Sequence, residues 1–470
     1  MKQHFIIDGK KTQGSKGSFD VISPRDQSIL HAMPNASEAD VLDAVEAAQR
    51  AFPLWRNKGG VEKQKLFLAW ADLIDANRDM IAAEVSAEMG VLKDDVAGTA
   101  AYIADMIRYY AGFIVTNYGD VLSFEDDHMN VVVNEPLGVI AAMPPWNSPI
   151  ESTIQKCAPA LAAGNTVVLR VPEEAPSGGL ILAQLAVEAG FPAGVLNALA
   201  GMGPESGEAL VGHPKVRLVS FTGSAPTGRI IARTCAEQMK PVVMELGGKS
   251  PVIIFDDARI ADAIESSVSS AFCFQGQICC ATTRVLVHES ILDEVVKGIA
   301  ERVERYALDN EEFPIGPLFN DKVFHTVEKF VAQGKKDGTL VAGGGVIERD
   351  GGGRYHQPTV FLFKDDSSVV CKEEIFGPVL AIIPFSSDEE AITIANNVDY
   401  GLAATVYSEN RQRIFKTIRQ LESGTVWANC NFKFNMHMPW GGPKSTGIGR
   451  EFGKYAMKPY LQEKNIWIGN

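Results

Sequence analysis

A thiol and a carboxylate at a defined spacing are the residues of this chain best suited to covalent chemistry. The segment Gln275–Ala281 holds adjacent cysteines, Cys279 and Cys280, and Glu245 lies 34 residues before the first (279 − 245). A thiolate can attack a carbonyl carbon, and a carboxylate can activate the water that releases the product. Core packing or a metal ligand pair is the alternative for two adjacent thiols. Because no Cys or His partner stands nearby at metal spacing, no metal site is expected.

An upstream amide could stabilise the charge that such an attack creates. Asn147 follows Pro145 and Trp146 and is bracketed by Pro149, so its backbone should be rigid. Attack on a carbonyl places negative charge on its oxygen, and an amide donor aimed at that oxygen is worth ~3 kcal/mol. Asn147 and the backbone N–H of Cys279 are therefore candidate oxyanion donors.

A glycine-containing turn could bind the phosphates of a dinucleotide. Phe221–Gly228 closes an apolar strand and opens a helix, with Gly223 and Ser224 at the junction. Gly223 allows close approach of a ligand, and the helix start offers free N–H groups and a positive dipole end. The glycine spacing is not the usual dinucleotide fingerprint, so taken alone a structural turn is at least as good an interpretation.

Two charged residues follow a predicted strand at Thr166–Leu169. A carboxylate at the position of Glu173 can bind adenosine ribose hydroxyls and repel a 2′-phosphate, which favours NAD over NADP. Arg170 could bind the ribose, pair with Glu173 or accept a 2′-phosphate, so NADP stays an alternative.

The elements that must position these groups alternate between strand and helix from Asn134 onward, which predicts a parallel sheet covered by helices. The predicted strands are Gly138–Met143, Thr166–Leu169, Arg217–Phe221 and Pro241–Glu245, and the predicted helices are Pro149–Ala163, Ser177–Ala189 and Thr227–Gln238. Amphipathic helices are predicted before this region, in Glu38–Trp55 and Val61–Tyr118. A second α/β unit follows, with strands at Val252–Phe255 and Arg284–Val287 and helices at Ala261–Phe272 and Ile291–Ala307.

Composition limits the class of protein. At 470 residues the chain is too long for one compact core, so two or three domains are expected. A net charge of −14 argues against nucleic-acid binding and against attraction to anionic membranes. The scattered cysteines, and the lack of a leader or a span-length apolar run, favour a cytoplasmic protein.

Four strings together resemble one enzyme family, the NAD(P)-dependent aldehyde dehydrogenase superfamily. They are Pro144–Asn147, Glu245–Ser250 (Glu-Leu-Gly-Gly-Lys-Ser), Gly276–Ala281 (Gly-Gln-Ile-Cys-Cys-Ala) and Phe376–Pro378. The resemblance implies an α/β fold with a Rossmann-type cofactor domain, a catalytic domain and a small β oligomerisation element. The corresponding ranges are 1–117 with 138–246 for the cofactor domain, 247–445 for the catalytic domain, and 118–137 with 446–470 for the oligomerisation element.

The resemblance also implies an assembly. Met129–Val133 and Asn465–Gly469 are short β-prone pieces that could pair within one subunit or across two. In the family this region mediates oligomerisation, so a homodimer or homotetramer is expected.

The resemblance gives Cys279 the role of nucleophile and makes Cys280 a neighbour that lines the pocket. It makes Asn147 a hydrogen-bond donor to the oxyanion, and it makes Glu245 the base that activates the water for thioester hydrolysis. Since relatives that transfer the acyl group to coenzyme A generally lack this acid, a free carboxylate is the expected product.

Further roles come only from the resemblance. Lys156 and Glu451 match positions that support Glu245, although either could be a structural ion pair. Glu374 matches the residue that holds the nicotinamide ribose, and Phe376 matches one beside the nicotinamide. The implied cofactor contacts are Pro145, Trp146, Arg170, Glu173, Gly223, Ser224, Gly228, Leu246, Glu374 and Phe376.

The substrate pocket departs from the family pattern at Ser148, where Phe is frequent. Glu151 and Gln155 follow at helical spacing and should face the same mouth, unless Glu151 points to solvent. The other pocket residues implied by the resemblance are Ile278, Cys280, Phe432, Phe434 and Trp440. Because no arginine is present, an aromatic or polar uncharged aldehyde is predicted. A cationic aminoaldehyde held by Glu151 and the aromatic faces is the alternative.

The leading hypothesis is irreversible NAD-dependent oxidation of an aldehyde to its acid. A catalytically silent protein on the same fold is a second hypothesis, and a cofactor-free thiol esterase is a third. The joint presence of Asn147, Glu245 and Cys279 argues against the second. The unused strings at Gly223–Gly228 and Glu374–Phe376 argue against the third.

Overall fold

The computed structural model describes residues 4–116, 119–121, 128–308, 310, 314–349 and 351–469. Parts of the predicted domain ranges 1–117, 118–137, 247–445 and 446–470, and the end of the predicted Val61–Tyr118 helical region, lie outside the described residues. Within the described part of the chain, no helix is long and apolar enough to cross a membrane.

The elements alternate as the sequence predicts. The strands are β1 (Phe5–Ile7), β2 (Lys10–Thr12), β3 (Ser18–Ile22), β4 (Ile29–Pro34), β5 (Asp120–Val121), β6 (His128–Pro136), β7 (Val139–Met143), β8 (Thr166–Val171), β9 (Leu196–Ala200), β10 (Val216–Thr222), β11 (Val242–Glu245), β12 (Ser250–Ile254), β13 (Thr282–His288), β14 (Thr339–Ala342), β15 (Val346–Ile347), β16 (Tyr355–His356), β17 (Thr359–Leu362), β18 (Val379–Phe385), β19 (Ala403–Tyr407), β20 (Thr425–Ala428), β21 (Gly447–Ile448) and β22 (Leu461–Gly469).

The helices are α1 (Glu38–Asn57), α2 (Gly60–Ala76), α3 (Arg78–Met89), α4 (Lys93–Ile114), α5 (Pro149–Ala162), α6 (Ser177–Glu188), α7 (Pro204–Gly212), α8 (Ala225–Glu237), α9 (Ile260–Phe272), α10 (Leu292–Val303), α11 (Asp321–Asp337), α12 (Val369–Lys372), α13 (Asp388–Asn396) and α14 (Arg411–Ile418). Short 3₁₀ turns occur at Cys273–Gly276, Glu289–Ile291, Lys454–Ala456 and Lys458–Tyr460.

The first sheet has the strand order β2-β1-β9-β8-β7-β10-β11-β21. Strands β7 to β11 are mutually parallel, and β7, β8 and β9 are buried along almost their whole length. Strands buried on both faces must be apolar throughout, which explains runs such as Val139–Met143. The predicted parallel sheet covered by helices is confirmed.

Both edges of this sheet contain strands that the sequence patterns did not reveal. β1 and β2 are antiparallel and join the sheet through Ile6, which pairs with Ala198. β21 is antiparallel to β11, with Glu245 opposite Gly447. These pieces are two or three residues long, too short for a period-two pattern to appear.

The helices before the first sheet form the packed layer predicted from their spacing. α1 begins with a capping box, in which the Ser37 side chain and that of Asp40 bind each other's backbone N–H. α3 ends at Gly90, whose φ of 71° is readily adopted only without a side chain. α4 packs on α2, α3 and α5, and its N-terminal half reaches the cavity described below.

The second sheet has the strand order β14-β17-β18-β13-β12-β19-β20. All its neighbouring pairs are parallel except β14 with β17. Separate apolar clusters lie on its two faces. Arg284 in β13 is fully buried, and its guanidinium donates to the carbonyls of Lys249, Ile394 and Ala395.

The third sheet has the order β22-β6-β5. β22 is antiparallel to β6 in continuous register from Leu461 opposite Pro136 to Gly469 opposite His128. The predicted pairing of these distant pieces is therefore present within one chain. The division of the chain into three domains stays a prediction.

Asn165 ties the C-terminal region to the first sheet. Its side chain is fully buried, accepts from the backbone N–H of Gly138 at 2.9 Å, and donates to the carbonyls of Ala160 at 3.1 Å and Tyr460 at 2.9 Å. One side chain thus satisfies three buried backbone groups that come from three segments.

Asn165→Ala should lower the free energy of unfolding by about 3 kcal/mol, because the buried Gly138 N–H and Tyr460 carbonyl lose these hydrogen bonds, whereas the Ala160 carbonyl keeps the one from the residue 165 backbone. Urea denaturation followed by circular dichroism would measure the loss. The exposed Asn57 at the end of α1 provides a matched control, Asn57→Ala. Equal stability of the two variants would contradict the assignment.

Candidate active site

One large cavity, of about 1370 Å³, gathers nearly all the residues selected from the sequence. It opens at the carboxyl ends of β7, β8, β10 and β11, where ligand sites of parallel sheets usually lie. The selected residues in its wall are Pro145, Trp146, Asn147, Ser148, Glu151, Gln155, Arg170, Glu173, Gly223, Ser224, Glu245, Leu246, Ile278, Cys279, Cys280, Glu374, Phe376, Phe432, Phe434, Trp440 and Glu451. Lys156 and Gly228 do not line the cavity but lie directly behind it, as described below.

A strained turn carries Cys279. Phe274, Gln275 and Gly276 all have left-handed backbone, with φ of 47°, 53° and 69°. Only Gly276 adopts this without strain, and a Cβ there would also lie 2.4 Å from the carbonyl oxygen of Gly377. Strain of this kind persists only where surrounding contacts hold it.

Gln277 provides those contacts. Its side chain is fully buried, donates to the carbonyl of Phe274 at 3.1 Å, and accepts from the backbone N–H of Phe319 at 2.9 Å. One of these hydrogen bonds closes the turn internally, and the other attaches it to the loop before α11.

Asn147 is bound to the same turn. Its Nδ2 donates to the backbone carbonyl of Gln277 at 3.0 Å, two residues before Cys279. Trp146 stacks on Phe319 with ring centroids 4.0 Å apart. One polar and one aromatic contact thus attach the Asn147 segment to the turn that carries Cys279 and to the loop before α11.

The two adjacent thiols occupy different environments. Cys279 is half-buried in the cavity wall, whereas Cys280 is buried beside Leu402 and Trp427. A hydrogen bond with Cys279 raises the pKa of Cys280 well above its usual range, and burial adds to the shift. Cys280 therefore keeps its proton at neutral pH.

Glu245 ends β11 inside the protein. Both of its carboxyl oxygens are buried and make no hydrogen bond to any described residue. Burial raises its pKa well above the usual range, the charge of Glu451 adds to this, and Lys156 opposes it. Gly441 has a φ of 131°, and a Cβ there would lie 2.3 Å from Glu245 Oε1, so a side chain at this position would be strained and would displace the carboxyl group. An unpaired buried carboxyl is costly, which marks the site as functional.

Behind Glu245 lies a buried ion pair. Lys156 Nζ is 2.5 Å from Glu451 Oε1 and donates to Thr222 Oγ1 at 2.6 Å. Thr222 is opposite Glu245 in the register of β10 and β11. Lys156 on α5 thereby connects these strands to a residue 295 positions later.

The glycine-containing turn forms the opposite part of the cavity. Ser224 caps α8, and its Oγ accepts from the backbone N–H of Thr227. A Cβ on Gly223 would lie 2.4 Å from the Phe221 ring. A Cβ on Gly228 would lie 2.8 Å from Leu246, so Gly228 allows α8 to pack on the segment after β11. Gly228 therefore acts through packing and not from the cavity wall.

Glu374 and Phe376 stand across from that turn. Glu374 Oε1 accepts from the Gly248 backbone N–H at 3.2 Å, and burial raises its pKa to about 7. A Cβ on Gly247 would lie 2.1 Å from Glu374 Oε2. Phe376 meets Trp146 edge to face at 5.6 Å. A carboxylate for ribose hydroxyls, a helix N-terminus for phosphate and an aromatic pair for a planar ring fit a dinucleotide.

Arg170 is partly engaged, mainly through one nitrogen of its guanidinium. Its guanidinium pairs with Glu173 at 2.8 Å and donates to the carbonyls of Gly201 at 2.6 Å and Gly203 at 3.1 Å. Of the alternatives for Arg170, the structure shows the pair with Glu173.

The remaining end of the cavity combines a polar wall with an aromatic one. Glu151 is half-buried in the wall and accepts from Gln155 at 3.2 Å, so it does not extend freely into solvent. Burial raises its pKa to about 7, and the charge of Glu451 adds to this. Phe434 lies 5.0 Å from Phe432 and 5.2 Å from Trp440, ring to ring.

Sequence reasoning missed Tyr102, which faces this end from α4. Its hydroxyl is buried and makes no hydrogen bond to any described residue. Burial and the charge of Glu151 raise its pKa. No sequence signal separates Tyr102 from the core residues of α4, because both follow the same helical spacing.

The fold and the cavity are those of an α/β oxidoreductase. The family model for the aldehyde dehydrogenase family matches residues 11–466. The chain is 37% identical over 470 residues to the mitochondrial benzaldehyde dehydrogenase of Antirrhinum majus, covering 98% of this chain and 88% of that protein. It is 35% identical over 475 residues to the NADP(+) succinate-semialdehyde dehydrogenase GabD of Escherichia coli, covering 100% and 98%.

A solved structure agrees with these relatives. A mutant of the P. syringae indole-3-acetaldehyde dehydrogenase AldA, in complex with NAD+ and IAA, superposes with a TM-score of 0.97 at 35% identity, covering 100% of this chain and 97% of that one. The chain belongs to the aldehyde dehydrogenase family. It is an oxidoreductase that acts on aldehydes, and its cofactor is NAD(P).

Brief alkylation with iodoacetamide should modify Cys279 well before Cys280, because Cys280 is buried and keeps its proton. Peptide mass spectrometry over a time course would give the two rates, with the exposed Cys273 as an internal reference for reagent access. Faster labelling of Cys280 than of Cys279 would reverse the assignment of the two thiols.

Proposed function

We propose that the protein oxidises an aldehyde to its carboxylic acid through a thioester on Cys279, with Asn147 as oxyanion donor and Glu245 as the base for water. The observation that carries this proposal is the unpaired, buried carboxyl of Glu245 in one cavity with a thiol and an amide. The surroundings of Cys279, Asn147 and Glu245 each suit the single role that we assign to that residue.

In the first step the deprotonated sulfur of Cys279 forms a bond to the aldehyde carbon. The carbonyl π electrons move to the oxygen, which becomes negatively charged. Asn147 is fixed to the Gln277 carbonyl through one N–H, which leaves its second N–H for this oxygen. The backbone N–H of Cys279 is the other donor we assign.

When bound, NAD(P) accepts the hydride from that carbon. Loss of the hydride with collapse of the alkoxide gives a thioester on Cys279. The carboxylate of Glu374, Phe376 and the N-terminus of α8 are the groups that we expect to hold and orient the dinucleotide. We also assign contacts to Pro145, Trp146, Glu173 and Leu246.

Glu245 completes the reaction by removing a proton from water. The hydroxide oxygen bonds to the thioester carbon, the C–S bond breaks, and the acid leaves with the sulfur again a thiolate. Lys156 and Glu451 lie next to Glu245 and shift its pKa in opposite directions. They are therefore suited to set its charge and to carry its proton outward.

We infer that NAD is preferred to NADP. The guanidinium of Arg170 pairs with Glu173 at 2.8 Å through the nitrogen that also binds two backbone carbonyls, so much of its positive charge is already neutralised. Glu173 adds negative charge close to that position.

The substrate is proposed to be an aromatic or polar uncharged aldehyde. Phe432, Phe434 and Trp440 give flat apolar surfaces, and Ser148 leaves room that a bulky residue would fill. A cationic aminoaldehyde is a second candidate, favoured by Glu151 in the wall. A cytoplasmic homodimer or homotetramer, assembled through the β22-β6-β5 sheet, completes the proposal.

NADH formation, followed by absorbance with a panel of aliphatic, aromatic and amino-substituted aldehydes, tests the proposal. Wild-type protein should turn over part of the panel, and Cys279→Ala should lose at least about 10³-fold, as expected when a nucleophile is removed. Cys273→Ala, at an exposed thiol, is the control. No signal with any aldehyde and either cofactor would refute the function.

Glu245→Gln should separate the two halves of the reaction. The variant keeps the thiol and the oxyanion donors, so a rapid burst of about one NADH per site is expected, followed by a stall at the thioester. Stopped-flow absorbance and intact-protein mass spectrometry would detect both. The exposed Glu237 gives the control Glu237→Gln, and steady turnover of Glu245→Gln at the wild-type rate would exclude Glu245 as the base.

A further inference from the structure

We propose that Glu151, Gln155 and Tyr102 form a polar subsite that selects aldehydes carrying a hydrogen-bond donor, an ammonium or a hydroxyl group, at the end remote from the carbonyl. This inference rests on the proposed function. It adds the feature of the substrate that the cavity recognises.

Glu151 is held in place by a hydrogen bond to one of its two carboxyl oxygens, and the other oxygen has no donor among the described residues. It lies in the first turn of α5, and Gln155 one turn later donates to its Oε1 at 3.2 Å. No described residue donates to Oε2, and the residue lines the cavity wall. An oriented carboxylate with a free oxygen is an acceptor for a ligand N–H or O–H group.

Tyr102 contributes a second group without a partner. Its hydroxyl is buried without a hydrogen bond to any described residue, which is unfavourable for a polar group away from water. Tyr102 and Glu151 both line the cavity, and the charge of Glu151 raises the pKa of Tyr102, which places the two side chains in the same region. A ligand donor group bound between them would give both the Glu151 carboxylate and the Tyr102 hydroxyl a hydrogen-bond partner.

The charges around the subsite favour a donor over an anion. The acidic residues of the cavity wall are Asp94, Asp95, Glu151, Glu173, Glu174, Glu245, Glu373, Glu374 and Glu451. Among the described lining residues the cations are Arg170 and Lys322, and both act on Glu174 at the cofactor end. The buried Lys156 is already paired with Glu451.

The facing aromatic wall fits the body of such a substrate. Phe434 packs edge to face with both Phe432 and Trp440, which leaves ring faces for an aromatic substrate or for a cation. A substrate with an apolar body and a donor at its tip matches both walls at once.

The ionisation of Glu151 separates the two kinds of donor. Its pKa is raised to about 7, first by burial and then by Glu451. The other groups near it are Tyr102 on α4 and the protonated Cys280, with Asp94 and Asp95 in the same cavity wall. Because Glu151 is ionised above its pKa, selection for an ammonium tail should increase as pH rises through 7, whereas selection for a hydroxyl tail should change little.

Three matched aldehydes test the proposal: 4-ethylbenzaldehyde, 4-(hydroxymethyl)benzaldehyde and 4-(aminomethyl)benzaldehyde. They differ only in a terminal methyl, hydroxyl or ammonium group. With the wild-type protein, kcat/KM for at least one donor compound should exceed that for the ethyl compound about tenfold or more, as sites built to hydrogen-bond a substrate group do. That ratio should fall to near one in Glu151→Leu and should decrease in Tyr102→Phe.

The Glu151→Gln variant distinguishes selection for an ammonium tail from selection for a hydroxyl tail. Loss of the preference in Glu151→Gln identifies an ammonium tail, whereas retention in Glu151→Gln with loss in Glu151→Leu identifies a hydroxyl tail. Glu237→Leu, at an exposed position, controls for the substitution, and thermal unfolding checks that each variant is folded. If Glu151→Leu is unfolded, the kcat/KM ratios of Glu151→Gln and Tyr102→Phe test the subsite instead.

A wild-type ratio of one or less, or a ratio that Glu151→Leu leaves unchanged, would overturn the subsite while NADH formation still supports the proposed function. Failure of all three compounds and of the wider aldehyde panel would instead refute the function itself.

Discussion

The active site depends on a strained backbone turn that is held from outside. Phe274, Gln275 and Gly276 keep left-handed conformations that the first two residues would not adopt alone. Gln277 fastens the turn to Phe319, and Asn147 binds the carbonyl of Gln277. Cys279, which we propose as the nucleophile, is therefore positioned by contacts from other segments that need no bound ligand.

Burial sets the charges around this turn. The carboxyls of Glu151, Glu245 and Glu374 all have raised pKa values, and in each case burial is the first cause. A carboxyl with a pKa of about 7, as for Glu151 and Glu374, gains or loses a proton at small cost near neutral pH. The charge of Glu451, in the cavity wall, adds to the raised pKa of Glu151 and of Glu245, and Lys156, paired with Glu451, opposes the shift at Glu245.

Much of this could be predicted from sequence, because the strings around Cys279, Glu245 and Asn147 are specific and the strand–helix alternation is strong. The short edge strands could not, since two or three residues show no periodicity. Tyr102 shares its helical spacing with core residues, and its unmet hydroxyl appears only in three dimensions. The sequence does not decide whether the Glu151 side chain faces the cavity or solvent. Helical spacing shows which residues share a face of the helix, but not what packs against that face.

The pairing of Lys156 with Glu451 across 295 residues has a consequence for biosynthesis. A nascent chain on the ribosome exposes Cys279 long before Trp440 and Glu451 have been made. At that stage Cys279 lacks both Trp440 and Glu451, so the cavity around it is incomplete. The cavity around Cys279 can therefore be completed only after translation has passed Glu451.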